Sequence, residues 1–104
     1  MDEMIKGYLP YGANSDFGQQ LEAAGCHVVV AEEQMNGRPA LDKLVSDLQE
    51  GDVLVICNAA HAGSQADFVQ LLIRAGQQHA HLVSIAEDID TLRDTLLFGI
   101  GAAH

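Results

Sequence analysis

The chain has 104 residues, fifteen acidic against five basic, for a formal net charge of −10, and 48% of it is apolar. A length of this order fits one domain, residues 1–104, able to bury roughly two-thirds of its unfolded surface. Phosphate backbones are held mainly by Lys and Arg. Here Lys6, Arg38, Lys43, Arg74 and Arg93 stand singly, which excludes a basic stripe and argues against autonomous binding of DNA, RNA or an anionic membrane.

Ile5 to Tyr11 reads as a first strand, with pairing interrupted at Pro10 because proline donates nothing to a ladder. Gly12-Ala13-Asn14-Ser15 is a turn. Asn14 is placed to cap a helix running to about Ala24, and Gly25 to stop it. Cys26 to Ala31, rich in Val, is a second strand, and Glu32 to Gly37 is an acidic, polar loop. Pro39 suits the first position of the next helix, in which Leu41, Leu44, Val45 and Leu48 share one face at helical spacing.

The central strand is Val53-Leu54-Val55-Ile56-Cys57, set off by Gly51-Asp52 on one side and Asn58 on the other. A short apolar run bounded in this way predicts a strand covered on both faces. Ligands of open α/β sheets gather at the carboxyl ends of such strands. That places the site, if there is one, at the loop Asn58 to Ser64, which holds no acid, Arg or Lys. Ser64 or a neighbour caps a helix to about Ala75, with Phe68, Leu71, Leu72 and Ala75 inward, Val69 and Ile73 on its flank, and Gly76 ending it. His81 to Ala86 is a fourth strand.

Thr91 with Asp94 has the form of a capping box opening a last helix, about residues 91–103, that carries no charge after Asp94. Its stretch from Leu96 to Ala103 is apolar all round and needs cover on every side. Leu92, Leu96, Leu97, Phe98, Ile100 and Ala103, with Val69 and Ile73 of the preceding helix, are therefore the expected subunit interface. The order βαβαβαβα predicts a three-layer αβα fold around a mostly parallel four-stranded sheet, order 2-1-3-4. The first helix is expected on one face and the later ones on the other.

Several segments line up with something familiar. They are Gly7-Tyr8, Ala24-Gly25-Cys26, Gly37-Arg38-Pro39-Ala40-Leu41, Leu48-Gln49-Glu50-Gly51-Asp52-Val53-Leu54-Val55 and Ile89-Asp90-Thr91. Together, in this order and spacing, the chain from Ile5 onward resembles the catalytic domain of the serine site-specific recombinases, the resolvases and invertases. The resemblance implies a resolvase-like fold. It also implies that the family's Gly-Tyr-x-Arg-x-Ser pattern, which ends in the DNA-cutting serine, falls on Gly7-Tyr8-Leu9-Pro10-Tyr11-Gly12. Pro10 then stands at the arginine and Gly12 at the nucleophile. The family's Asp-Arg-Leu-Gly-Arg falls on Ala60-His61-Ala62-Gly63-Ser64, so His61 and Ser64 stand where two guanidiniums would hold the scissile phosphate. Neither reproduces a permanently charged, bidentate fork.

Of the matched active-site positions only Arg38 keeps its residue type. The last segment matches the start of the helix by which family members dimerise and reach DNA. The family's helix-turn-helix module has no counterpart in these 104 residues. Without the nucleophile and three of the phosphate-binding arginines, both covalent attack and charge stabilisation are missing. The expectation is a degenerate, truncated recombinase-like domain with no catalytic residues. Such a pseudoenzyme would form a homodimer, or a heterodimer with a recombinase-like protein, as a regulatory module.

Other readings stay open at this point. Ser15 or Ser64 could be a displaced nucleophile for resolvase-type strand exchange, with His61 the only base at hand; the plainer reading of both serines is an N-cap. Gly12 to Ser15 could hold an anion or nucleotide through backbone N–H groups, although the Gly-x-Gly-x-x-Gly pattern is lacking. Cys57 and His61 could pair as thiol and imidazole, or be a buried strand thiol beside an unrelated loop histidine. Arg38 is a remnant phosphate ligand or a solvated helix-start residue. His79 and His81 alternate as two metal ligands would, but no third ligand accompanies them, so neither metal nor other cofactor is expected. No stretch is apolar enough to span a bilayer, and Met1-Asp2-Glu3-Met4 is acidic where a signal peptide is basic, which predicts a cytoplasmic protein.

Overall fold

The computed structural model describes residues 4–92. At its centre lies a sheet in the order β2-β1-β3-β4-β5. The strands are β1 (Ile5–Leu9), β2 (Val28–Ala31), β3 (Val53–Ile56), β4 (His81–Ser84) and β5 (Ile89–Asp90). The first four run parallel, as the alternation of strands and helices requires, in the expected order 2-1-3-4. The sequence pattern missed β5, whose two residues are too few to show a period. It joins antiparallel, with Val83 opposite Asp90 and Ser84 opposite Ile89. Helices α1 (Ser15–Ala23), α2 (Pro39–Ser46) and α3 (Gln65–Gln77) and a short 3-10 helix, Ala59–Ala62, complete the αβα arrangement.

Among the described residues, the two faces of the sheet are covered unequally. Leu41, Leu44, Val45 and Leu48 from α2 and the turn after it pack with Phe68, Leu71 and Ala75 of α3 onto Tyr8, Leu54, Ile56 and Leu82. The other face has α1, whose Leu21 is enclosed with Val55 and Cys57 while Ile5, Val29, Val53, Val83 and Ile85 are only partly buried. Close approach of α1 depends on Gly7. A Cβ there would lie 3.0 Å from Cys26 Sγ and 3.1 Å from Leu21 Cδ1, tighter than ordinary packing allows.

Several boundaries differ from the sequence reading, each for a local reason. Strand β1 stops at Leu9, before Pro10 rather than at Tyr11, and Ala13 N–H turns back to the Pro10 carbonyl. Cys26 precedes β2 instead of opening it, because its N–H is spent on the Leu21 carbonyl at the end of α1. Helix α3 runs through Gly76, and the left-handed turn that ends it falls on His79, at φ 56. The Thr91 hydroxyl accepts a hydrogen bond from Leu82 N–H at 2.8 Å, which ties the chain after β5 to β4. Asp94 and the expected interface residues Leu96, Leu97, Phe98, Ile100 and Ala103, with the rest of the predicted last helix beyond Leu92, lie outside the described residues. Among the described residues no helix is long and apolar enough to cross a membrane.

Candidate functional site at the carboxyl edge of the sheet

The loops after β1, β2, β3 and β4 emerge at one edge of the sheet, and three small networks fix them. The first joins β1, β2 and α2. The fully buried Tyr8 donates its hydroxyl to Glu32 Oε2 at 2.7 Å, and the same carboxylate accepts from Ala40 N and Leu41 N, both at 3.0 Å. Pro39 opens α2 and Arg38, its N-cap, makes no side-chain cap. Glu32 supplies the missing acceptor from across the loop, so an internal anion occupies the positive end of this helix. Burial, and then Glu32, push the Tyr8 phenol well above the ordinary tyrosine range.

The second network joins the loop after β3 to α3. Ser64 caps α3 in a capping box: its Oγ accepts from Asp67 N at 3.2 Å, and Asp67 Oδ2 accepts from Ser64 N at 2.9 Å and from its hydroxyl at 3.0 Å. These hydrogen bonds, with a smaller contribution from Arg38, hold the Asp67 carboxyl below the ordinary aspartate value. The Arg38 guanidinium lies along Gly63, where an added Cβ would come within 3.0 Å of Nη1. It closes no ion pair within 4.0 Å among the described residues. Arg38 separates two clefts. One, about 230 Å³, runs between α2 and α3 past Asp42, Asp67, Gln70 and Arg74; the other, about 350 Å³, is walled by Tyr11, Glu32, Met35 and Asn36. Arg74 is committed to Asp42 at 2.9 Å.

The third network is built on Asn58. Its Oδ1 accepts from His61 N–H at 3.2 Å, capping the 3-10 helix, and its amide nitrogen lies 3.3 Å from His61 Nε2. The imidazole is buried, its ring edge-on to Phe17 at 4.6 Å between centroids, and Nδ1 has no hydrogen-bond partner among the described residues. Burial pulls its pKa below the ordinary 6.5, partly opposed by Glu87. Both Glu87 oxygens accept from Ala59 N at 3.1 Å, and Ser84 donates its hydroxyl to Oε1. The Ser84 hydrogen bond, first, and the Ala59 N–H keep Glu87 below the ordinary glutamate value.

The sequence candidates are thus distributed rather than assembled into one centre. Ser64 is held by Asp67. Ser15 is the exposed first residue of α1, behind an Asn14 cap whose Oδ1 takes Asp16 N–H at 3.0 Å. Beside the Gly12 to Ser15 loop, Ala13 N–H is bonded to the Pro10 carbonyl, and the Asp16 and Phe17 amides that follow it in α1 are taken by Asn14. Gly12 sits at φ +72 with open space where a side chain would begin. The thiol of Cys57 donates to the Phe17 carbonyl at 3.3 Å, so Cys57 and His61 meet α1 at the same residue. His79 and His81 lie on a loop and on β4, and among the described residues no three His, Cys, Asp or Glu side chains group to hold a metal. Val69 and Ile73 are 45% and 50% exposed and Leu92 38% exposed.

The sequence reading missed two residues at this edge, Glu32 and Glu87. Glu32 opens the acidic, polar loop of the sequence reading, yet it directly follows β2 and precedes a Pro-opened helix with no capping side chain. That combination was the available signal.

A doubly faced, mostly parallel sheet with its loops gathered at the carboxyl edge defines the class of protein. The N-terminal domain of the Resolvase family matches residues 17–103, and the chain belongs to that family. Among solved structures, the crystal structure of the N-terminal catalytic domain of TP901-1 integrase superposes with a TM-score of 0.62 at 17% identity, over 97% of this chain and 92% of that one. At that identity the likeness shows the shared fold. No curated protein matches.

Proposed function

We propose that this recombinase-family domain does not cut DNA, and that it works by association with itself or with a recombinase-like partner, as a regulatory module. The loop after β1 carries the reading. Where the family resemblance puts the attacking serine stands Gly12, which has no hydroxyl to form a phosphoserine linkage. The surroundings of Ser64 and His61 support the same reading. Ser64 is bonded to a carboxylate that is itself held low and is therefore a poor base, while the buried imidazole of His61 is turned to Asn58 and Phe17. Arg38 is the one guanidinium retained, and it lies beside Asp67. The association side of the proposal draws on Val69 and Ile73, exposed one turn apart on α3, and on the uncharged sequence from Leu96 to Ala103.

The test has two arms. Sedimentation velocity over a micromolar range should show a dimer, or a heterodimer with added recombinase, that Leu97→Asp and Ile73→Asp both weaken. Incubation with labelled duplex followed by denaturing electrophoresis should show no covalent adduct. A monomer indifferent to both substitutions overturns the association, and an adduct that Ser15→Ala or Ser64→Ala abolishes overturns the inactivity.

A further inference from the structure

His61 is nine-tenths buried, lies outside every role assigned above, and carries a ring nitrogen with no hydrogen-bond partner among the described residues. Its surroundings constrain which protons it can hold. Asn58 Oδ1 is committed as acceptor to His61 N–H, which turns the Asn58 NH₂ towards His61 Nε2 at 3.3 Å. An NH₂ group can only donate, so Nε2 must be the bare, accepting nitrogen and the ring proton must sit on Nδ1. A second proton on Nε2 would set donor against donor. The clash is relieved when the Asn58 amide turns over and presents Oδ1 to the imidazolium. The same turn points NH₂ at the His61 N–H and removes the side-chain cap from Ala59–Ala62, leaving that N–H only the Asn58 carbonyl at 3.0 Å.

We propose that Asn58 and His61 form a proton-driven switch of the loop after β3, in which taking up one solvent proton at His61 Nε2 reverses the Asn58 amide and loosens the 3-10 helix. The loop's other side-chain anchors are two carboxylates, Glu87 on the Ala59 N–H and Asp67 on the Ser64 N–H. The elements around it bring Glu87 from the β4–β5 loop, Asp16 on the exposed first turn of α1, and Asp67, engaged with Ser64 on α3. Glu87 is the one whose charge bears on the imidazole, and it favours the protonated form. The Cys57 thiol, raised by burial, stays neutral in this range. Since Phe17 packs edge-on against the ring and also receives the Cys57 thiol, loosening is transmitted to the start of α1 and the Gly12 to Ser15 turn.

Nitrogen-15 NMR on the intact chain tests this. At neutral pH the His61 ring should show the Nδ1–H tautomer. On acidification its midpoint should fall below 6.5, and the Asn58 side-chain NH₂ and the Ala59–Ala62 amides should shift with that same midpoint. In Asn58→Asp, a carboxylate can accept from both His61 N–H and a protonated Nε2, so the midpoint should rise by about one pH unit or more. An Nε2–H tautomer in the wild type overturns the proposal whether or not the variant folds. Loop amides that ignore the His61 midpoint, or an Asn58→Asp midpoint no higher than wild type, also overturn it.

Discussion

Removing Glu32 should cost far more than an acid in a polar loop has any right to cost. The carboxylate serves three donors: the Tyr8 hydroxyl, fully buried, and the N–H groups of Ala40 and Leu41 at the start of α2. In Glu32→Ala, the Tyr8 hydroxyl and the Leu41 N–H lose their acceptor out of reach of water, at about 1–3 kcal/mol each. With the helix end also deprived of its anion, the total should reach about 3–5 kcal/mol, a large part of the about 5–15 kcal/mol that holds a typical domain together. Tyr8→Phe keeps the ring and deletes one charge-assisted hydrogen bond, for about 1.5–3 kcal/mol. The double variant has no hydroxyl left to orphan, so its loss should fall short of the sum by about 1–2 kcal/mol. Urea unfolding followed by circular dichroism, at fixed protein concentration, gives all four corners of the cycle. A Glu32→Ala loss under about 1 kcal/mol, or a coupling of zero, would refute the claim that this carboxylate ties β1 and β2 to α2.

Alkali should expose the same contact from the other side. Tyr8 has a folded pKa raised above its ordinary 10.0, so the native chain keeps a proton the unfolded chain gives up. Stability is then complete below about pH 10 and declines above it by at most about 1.4 kcal/mol per pH unit, a decline that Tyr8→Phe should flatten in an equilibrium-unfolding series. Asp67 runs the opposite way: its lowered pKa lends stability that is present above its ordinary 3.8 and fades as pH falls through the lower folded value, and Ser64→Ala should shrink that acid-side decline. Gly63→Ala should destabilise through its φ of +123 alone by about 1–3 kcal/mol, and further because the new Cβ would press on Asp67 and on Arg38; an unchanged thermal midpoint would contradict this. Gly7→Ala should lower the melting temperature by forcing α1 away from β1, whereas an equal-sized change at the open Gly76 should do little harm.

The architecture was legible in the sequence because its signals are local and repeated. The Leu41-Leu44-Val45-Leu48 stripe, the Val-rich runs and the caps Asn14 and Ser64 each specify their own element, and the order of elements then fixes the topology. Failures arose where a residue's role is set by something distant in the chain. Glu32 and Glu87 read as surface acids, since nothing near either one says that a Tyr hydroxyl, a Ser hydroxyl or a helix end will arrive to meet it. Gly76 read as a stop, but a helix tolerates glycine when its neighbours Leu71, Leu72 and Ala75 are anchored, and His79 took the turn instead. His61 could be placed on the correct loop by the family pattern, yet its burial against Phe17 depends on where α1 docks, which Gly7 decides.

The unequal covering of the sheet has a consequence for how the domain breathes. Over the described residues, the α2–α3 side is a continuous apolar layer, whereas α1 rests on one fully enclosed leucine and a rim of half-covered valines and isoleucines. Opening free energies follow buried contact, so among the described helices α1, with the turn leading into it, is the weakest cooperative unit, and its amides should exchange with solvent well before those of α2 or α3. The first layer to lift away is therefore the one that carries Gly12 and backs His61, leaving the Tyr8 side of the sheet intact beneath it.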